Sequence, residues 1–369
     1  MTSTPIATVR ALHLLPHQGV GGLARSVIEL VRHERMDGAQ DELVLTERAL
    51  ETEADFMAPA TPAHFLGLTG EPIPTRGARL AALAASRGAR VVHAHGLGPL
   101  RLAYGARRGG GPRYVATLHE LPPSVGFLER RRLRAALLAA EEVWAVSPAI
   151  QAAWAPSGRA PVVAPLAVDV QRFQPSDEPS AWRAARVPEP GTLLVGSLMR
   201  AAEGKDHGVL VEAVRRRSRA GRPTALLLVG DGPRFEERRA LAQEEPLLHV
   251  RRRVLDAPGF FSALDVFALH ASDELAPLSM VEALACARPV VFADGAAPSS
   301  GPVTASLGAA RDAGFARGVR FGDVDAVVQA LDAWAEPGAR AALGALARRH
   351  ATEHHALQRL RARLAPHYV

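Results

Sequence analysis

The sequence has 369 residues, 48% hydrophobic and 22% charged, which suits a packed protein of two domains and excludes a disordered chain. No apolar run reaches the ~18–20 residues of a membrane span, and the single cysteine, Cys286, excludes a disulfide framework or a multi-cysteine metal centre. The net charge of +6 rests on arginine, with Lys205 the only lysine and no asparagine in the chain, and its basic clusters at 130–132, 215–217 and 251–253 carry no interleaved aromatics; a GC-rich codon bias, or avoidance of thermolabile residues, accounts for this, and no nucleic-acid partner is expected.

In chain order, apolar runs at 6–15, 42–46, 63–68, 90–95, 113–119, 143–147 and 161–165 predict strands. Helical patterns at about 23–33, 76–87, 97–107, 127–140 and 148–154 alternate with them. Residues 165–190 carry five prolines and little periodicity, a linker composition. The alternation then restarts, with strands at 192–198, 224–229, 248–251, 266–270 and 289–293. Helices are predicted at 208–219, 235–242, 258–263 and 278–287. The Gly/Ala-rich stretch 295–318 shows no legible element, and helices follow at 323–334, 337–349 and 356–364. The expected fold class is therefore α/β, with two Rossmann-like domains at 1–167 and 168–350 and a terminal helix within 351–369 packing back on the first. Ligands of such sheets bind outside the carboxyl ends of the strands, and two sheets facing a cleft would hold the ligand between them.

Several residues at those strand ends can carry chemistry. Glu274 precedes an Ala-Pro-Leu-Ser turn and Glu282 lies on the helix after it, with Pro277 expected at the first helical position. The free amides of that helix start, around Pro277, Leu278 and Ser279, can receive an anion; alternatively the acidic residues complement the helix dipole. Arg200 and Lys205 share one loop after a predicted strand, where they neutralise a diphosphate or stand as solvated charges. Lysine retained in an arginine-biased chain favours a role for its compact ammonium. Gly230 sits in a strand-ending Gly-Asp-Gly-Pro turn, and Gly21 and Gly22 lie between a strand and a helix, in a phosphate cradle or a simple tight turn. His95 and His119 end two strands of the first half. His350, His354 and His355 read as surface residues, and Asp323 with Asp325 as helix-capping residues rather than metal ligands.

Taken together, the ordered segments resemble the retaining glycosyltransferases of sequence family 4, which have the GT-B fold. They are GVGGLA at 19–24, VVHAHG at 91–96, ATLHE at 116–120, VWAVSPAI at 143–150 and VDVQRFQP at 168–175. RAAEGKDH at 200–207, VGDGP at 229–233, DVFAL at 265–269 and ELAPLSMVEALA at 274–285 complete the set. The resemblance implies transfer of a sugar from a nucleotide-diphosphate sugar to an acceptor hydroxyl with retained configuration, in polysaccharide, glycolipid or envelope glycan synthesis. It implies donor-diphosphate contacts for Arg200 and Lys205, sugar-hydroxyl contacts for Glu274, ribose contacts for Glu282, and a place for His119 beside the reacting sugar. Catalytic roles fall to His119, Glu274 and Lys205, donor binding also to Gly230 and the amides at 277–279, and the acceptor side to Gly21, Gly22 and His95. No cofactor and no metal is implied.

The chain departs from the family pattern at Met199, Leu275, Ala276, Pro277, Ala287, Ala296 and Ala297, several of which stand where glycine is usual, and at Leu166-Ala167 in the linker. Those departures support an alternative expectation, a catalytically silent protein that binds a nucleotide sugar or a partner glycosyltransferase. The remaining expected partners are a glycan or lipid-linked acceptor and a peripheral membrane contact. The expected location is cytoplasmic, at the inner face of the membrane. For that contact the segment 127–134, FLERRRLR, places Phe127, Leu128 and Leu133 beside four arginines, with Arg130, Arg131 and Arg134 sharing a helix face. A solvated helix whose leucines pack inward is the alternative.

Overall fold

The computed structural model describes residues 9–16, 21–46, 62–66, 70–176, 183, 191–254, 256–272, 274, 276–294 and 313–369. The chain forms two compact units, one from Met1–Ala167 with Leu357–Val369 and the other from Val168–Ala356. Each is an open, parallel α/β sheet.

The first unit has seven strands: β1 (Ala11–Leu15), β2 (Glu42–Leu45), β3 (Ala63–Phe65), β4 (Val91–His95), β5 (Arg113–Leu118), β6 (Val143–Ala145) and β7 (Val162–Val163). They pair in the order β3-β2-β1-β4-β5-β6-β7. Five helices connect them: α1 (Gly22–Met36), α2 (Ile73–Arg87), α3 (Leu97–Arg108), α4 (Phe127–Ala139) and α5 (Pro148–Trp154). β1, β2 and β4 are buried along their whole length, as expected of strands covered on both faces. The register sets His13 of β1 opposite His93 of β4, and His95 opposite Thr117 of β5. Side chains two apart in a strand share a face, so this register gathers histidines in one place.

The second unit pairs six strands in the order β10-β9-β8-β11-β12-β13. These are β8 (Leu193–Leu198), β9 (Thr224–Val229), β10 (Leu248–Arg251), β11 (Val266–Leu269), β12 (Val290–Asp294) and β13 (Ala316–Arg320). The helices are α6 (His207–Arg219), α7 (Phe235–Glu244), α8 (Ala257–Ala263), α9 (Leu278–Ala285), α10 (Val324–Ala333) and α11 (Pro337–His354). β13 begins in the stretch 295–318 that offered no legible element and ends just beyond it. It is an edge strand reading Ala-Arg-Gly-Val-Arg, with both arginines exposed, so its apolar signal is too thin to mark it.

Two further differences concern boundaries. The segment 168–176 is not free linker. Val168 bridges Ala356, Phe173 is buried beside Phe261, and Arg348 donates to the carbonyls of Val170 (2.6 Å) and Phe173 (2.5 Å). The return to the first unit begins at 357, because α11 runs on through His354. The last helix, α12 (Leu357–Leu364), buries Leu357 and Leu364 with Ala11, Val91, Val115 and Trp144 in the first unit's core.

Candidate functional site

In the second unit, the loop after β8 continues the strand ladder. Met199 N–H donates to the Val229 carbonyl at 3.1 Å and Ala201 N–H to the Asp231 carbonyl at 2.9 Å. This apposition requires glycine at 230, where φ is +147° and a Cβ would lie 2.0 Å from the Met199 oxygen. Gly230 thus makes room for the loop that carries Arg200. Met199 turns its side chain inward and is 6% exposed, so it does not fill the space outside the strand ends as a side chain in place of glycine was expected to. Arg200 is exposed, and Arg238 grips its carbonyl at 3.0 Å from below. Burial pushes the Arg238 guanidinium down to about 10.

The loop then crosses to a second one. Asp206 N–H donates to the His270 carbonyl (3.0 Å), Ser272 N–H to the Gly204 carbonyl (2.9 Å), and Lys205 forms an antiparallel bridge with Ala271. That pairing brings Lys205 Nζ to 2.6 Å from Glu274 Oε1, across 69 residues of sequence. Their side chains are 13% and 25% exposed. The Asp206 carboxylate caps α6 by accepting from the Gly208 and Val209 amides. His207 and His270 are buried behind the pair, and desolvation lowers both, His207 to about 3, so both are neutral near pH 7.

Pro277 is the residue before α9 rather than its first residue, with φ −77° and ψ 114°, and no side chain caps the helix. The N–H groups of Leu278 and Ser279 therefore open the first turn without intrahelical acceptors. Glu282 is 2% exposed on a helix whose other buried residues are all apolar. Ala287, where the family pattern has glycine, lies beyond the helix end. It closes α9 with φ +59°, the only described non-glycine residue in that region. Its N–H donates to Leu284 and that of Arg288 to Ala283, the bonds of a left-handed helix cap. This departure is one of helix termination. Leu275, Ala296 and Ala297 lie outside the described residues.

In the first unit, Gly21 precedes α1 and Gly22 opens it; both are exposed. Gly21 has φ −78° and a Cβ there meets nothing within 4 Å, so no tight turn demands glycine at 21. Residues 17–20 lie outside the described ones. His119 follows β5, half-buried, and desolvation pushes it down to about 4. His95 does not stand at an open surface. It is 3% exposed and packed against His93, with ring centroids 3.9 Å apart, and its Nε2 lies 3.2 Å from His13 Nδ1. A cavity of about 30 Å³ is lined by His93, His95, Thr117, His119 and Leu364 among others. The sequence reading missed His13, His93 and Asp41. The signal for His93 was the i, i+2 spacing with His95, which puts both on one face of a strand.

A larger cavity, about 490 Å³, lies near the opposite strand ends of the second unit, between Thr192, Arg215 and Leu248, and contains none of the predicted residues. Asp323 caps α10 through the Ala326 amide (2.9 Å), and Asp325 pairs with Arg216 (2.7 Å). The three C-terminal histidines are not all surface residues: His354 is exposed, His350 half-buried and His355 buried. On α4, Leu133 packs inward while Phe127 and Leu128 are 76% and 69% exposed.

Residues 20–172 match the family model described as Glycosyltransferase Family 4, and residues 189–333 the model described as Glycosyl transferases group 1, together most of the chain. Among curated proteins no relative matches. A glycosyltransferase from Rickettsia africae is similar in structure at a TM-score of 0.81 and 16% identity, covering 98% of each chain. HepE of Anabaena, solved in complex with UDP, aligns at 0.77 and 18% identity, covering 97% of this chain and 98% of its own. The sucrose-phosphate synthase of Thermosynechococcus elongatus aligns at 0.75 and 18% identity, with the same coverage. These likenesses establish the two-domain fold.

Proposed function

Because the chain belongs to the family 4 glycosyltransferases, with the GT-B fold, we propose that it moves a sugar from a nucleotide-diphosphate sugar to an acceptor hydroxyl with retention of configuration. The observation that carries this reading is the Lys205–Glu274 pair, held by two crossing loops beside exposed Arg200 and the uncapped start of α9. Two cations and a turn of free amides suit a leaving diphosphate, whose charge they stabilise in the transition state without proton transfer. Glu274 is proposed to bind the donor sugar hydroxyls and Glu282 the ribose. Glu274 neutralises Lys205 at 2.6 Å, so an arriving diphosphate takes the ammonium and leaves the carboxylate for the sugar. In the first unit His119 is the proposed catalytic residue, neutral at pH 7 and able to donate or accept a hydrogen bond, with Gly21 and Gly22 proposed for the acceptor side.

HepE is also solved with UDP-glucose, which supports a uridine nucleotide as the first donor to try. No metal or other cofactor enters this scheme. The proposed acceptor is a glycan or lipid-linked hydroxyl of polysaccharide or envelope synthesis, reached at the cytoplasmic face. No helix among the described residues is long and apolar enough to cross a membrane. Exposed Phe127 and Leu128 beside Arg130, Arg131 and Arg134 fit a reversible, salt-sensitive contact with anionic lipid. Cosedimentation with anionic vesicles at low salt, lost when the three arginines become Gln, is the expected result for that contact. The buried Met199 side chain and the helix-cap position of Ala287 weigh against the silent-binder alternative. Incubation with UDP-, GDP- and ADP-sugars tests the main reading. Slow release of one nucleoside diphosphate is expected, and a melting shift without release from any of them would replace the enzyme with a binder.

A further inference from the structure

Beneath the carboxyl ends of β1, β4 and β5, the first unit buries an unusual set of polar groups. Asp41, just before β2, is fully buried, as are His13, His93 and His95. Arg10 holds Asp41 through two bonds of 3.0 and 2.7 Å, and the carboxyl titrates at about 2. Asp41 is therefore an acceptor only. His13 Nε2, 3.3 Å from Asp41 Oδ2, must carry its proton. With His13 neutral, its Nδ1 is a lone pair, and His95 Nε2 at 3.2 Å must donate to it. The two rings are near coplanar, 15° apart, as an in-plane bond between imidazoles requires. His95 Nδ1 is then a buried lone pair, and it has no partner among the described residues. His119 Nε2 on the neighbouring ring is likewise buried without a partner among the described residues, and both residues line the 30 Å³ cavity, close to the volume one water occupies.

We propose that Asp41, His13 and His95 form a buried proton relay that ends on this cavity and sets the hydrogen bonding of His119 through one water. A proton taken up at His95 Nδ1 is matched by release of the Nε2 proton to His13 Nδ1. His95 stays neutral and changes tautomer; His13 becomes an imidazolium whose Nε2–H remains on ionised Asp41. No other bond changes. His95 thus presents an acceptor or a donor to the cavity according to the state of His13, and His95 and His13 are positioning residues for His119. Only the consequence for His119 rests on the proposed glycosyl transfer; the relay itself does not.

Other charged and titratable groups face the relay. Arg10, Glu34 and Arg361 lie on the Asp41 side, and Glu34 bonds both arginines. On the other side stand His93, His119, His367 and Tyr368. The three histidines of the strands come close enough for a shared metal ion, with ligand atoms within 4.8 Å. Their geometry favours the relay. Both His93 nitrogens are engaged, Nδ1 by the Tyr368 hydroxyl at 2.5 Å and Nε2 by the Thr117 hydroxyl at 2.8 Å. The His93 and His95 ring centroids are 3.9 Å apart with the planes tilted by 31°, too close for the two rings to meet edge to edge around one ion.

Long-range proton–nitrogen NMR of the full chain reads each imidazole tautomer without turnover. At pH 8 the expected state is His13 protonated at Nε2 only, and His95 at Nε2 only. On acidification His13 should gain the second proton while His95 changes from the Nε2–H to the Nδ1–H form, and the His119 nitrogen signals should move with the same midpoint. A His95 that holds Nδ1–H at pH 8, or that becomes the imidazolium while His13 stays neutral, overturns the relay. His13→Asn keeps an acceptor for His95 Nε2 and should retain the tautomer but lose its pH-dependent change; His13→Leu should lose both. Unaltered His119 signals in folded His13→Leu would also overturn the proposal, and the wild-type tautomers decide it if that variant does not fold. Joint shifts of His13, His93 and His95 on adding Zn²⁺ would replace the relay with a metal site.

Discussion

Glu274→Gln separates the two jobs assigned to the carboxylate. At 2.6 Å, opposite unit charges attract by about 6 kcal/mol at an effective dielectric of ~20, before the cost of desolvation. Desolvation removes much of that, and a pair between the exposed and buried limits retains roughly 1–2 kcal/mol. A diphosphate that takes Lys205 must displace Glu274 and forfeit this energy. Glutamine keeps the shape and a neutral hydrogen bond but frees the ammonium. The affinity for UDP, or whichever nucleoside diphosphate the protein binds, should then rise about 5- to 30-fold. Turnover should fall, because charge-assisted hydrogen bonds to the sugar hydroxyls, worth roughly 1.5–3 kcal/mol, are weakened. That corresponds to a loss of about 10- to 150-fold in kcat. Calorimetric titration gives the first quantity and nucleotide release the second. Weaker nucleotide binding with kcat unchanged would refute the displacement argument, since it would mean the carboxylate supports the nucleotide and not the sugar.

Ala287→Gly should stabilise the second unit by about 0.5–1 kcal/mol, because glycine adopts the left-handed cap without the Cβ penalty; a urea midpoint no higher than wild type would contradict this. Gly230→Ala should cost roughly 3 kcal/mol or more, through overlap with the Met199 carbonyl and a disfavoured φ. The variant should also lose nucleotide binding as the Arg200 loop shifts, which calorimetry on the folded fraction checks. Acid should destabilise the chain in two stages. Histidines kept neutral by burial bind protons more readily when unfolded, so stability falls from about pH 6.5 towards 4 for His119 and towards 3 for His207. Asp41, depressed to about 2, contributes stability that is complete above its unfolded value and lost as pH falls from about 4 towards 2. A urea midpoint that stays constant between pH 7 and 4 would exclude the histidine contribution.

Local pattern alone determined the two α/β halves, because buried parallel strands and amphipathic helices write their periods directly into the residues. It also marked the candidate residues of the loop at 200–207 and of a later helix start, since a lone lysine in an arginine-biased chain and a glutamate on either side of that start are visible without coordinates. It missed β13, whose edge position leaves two exposed arginines among its five residues, and it treated 168–176 as linker because prolines conceal a docked segment. The meaning of a missing glycine was also beyond it. Met199 and Ala287 look alike as departures, yet one turns inward from a loop and the other caps a helix, a difference made by φ and by neighbours rather than by residue type. The Lys205–Glu274 contact and the Asp41–His13–His95 chain join residues 69, 28 and 82 positions apart. Strand register and loop crossing decide such pairs, and both follow from the packing of the whole sheet, which no local stretch of sequence encodes.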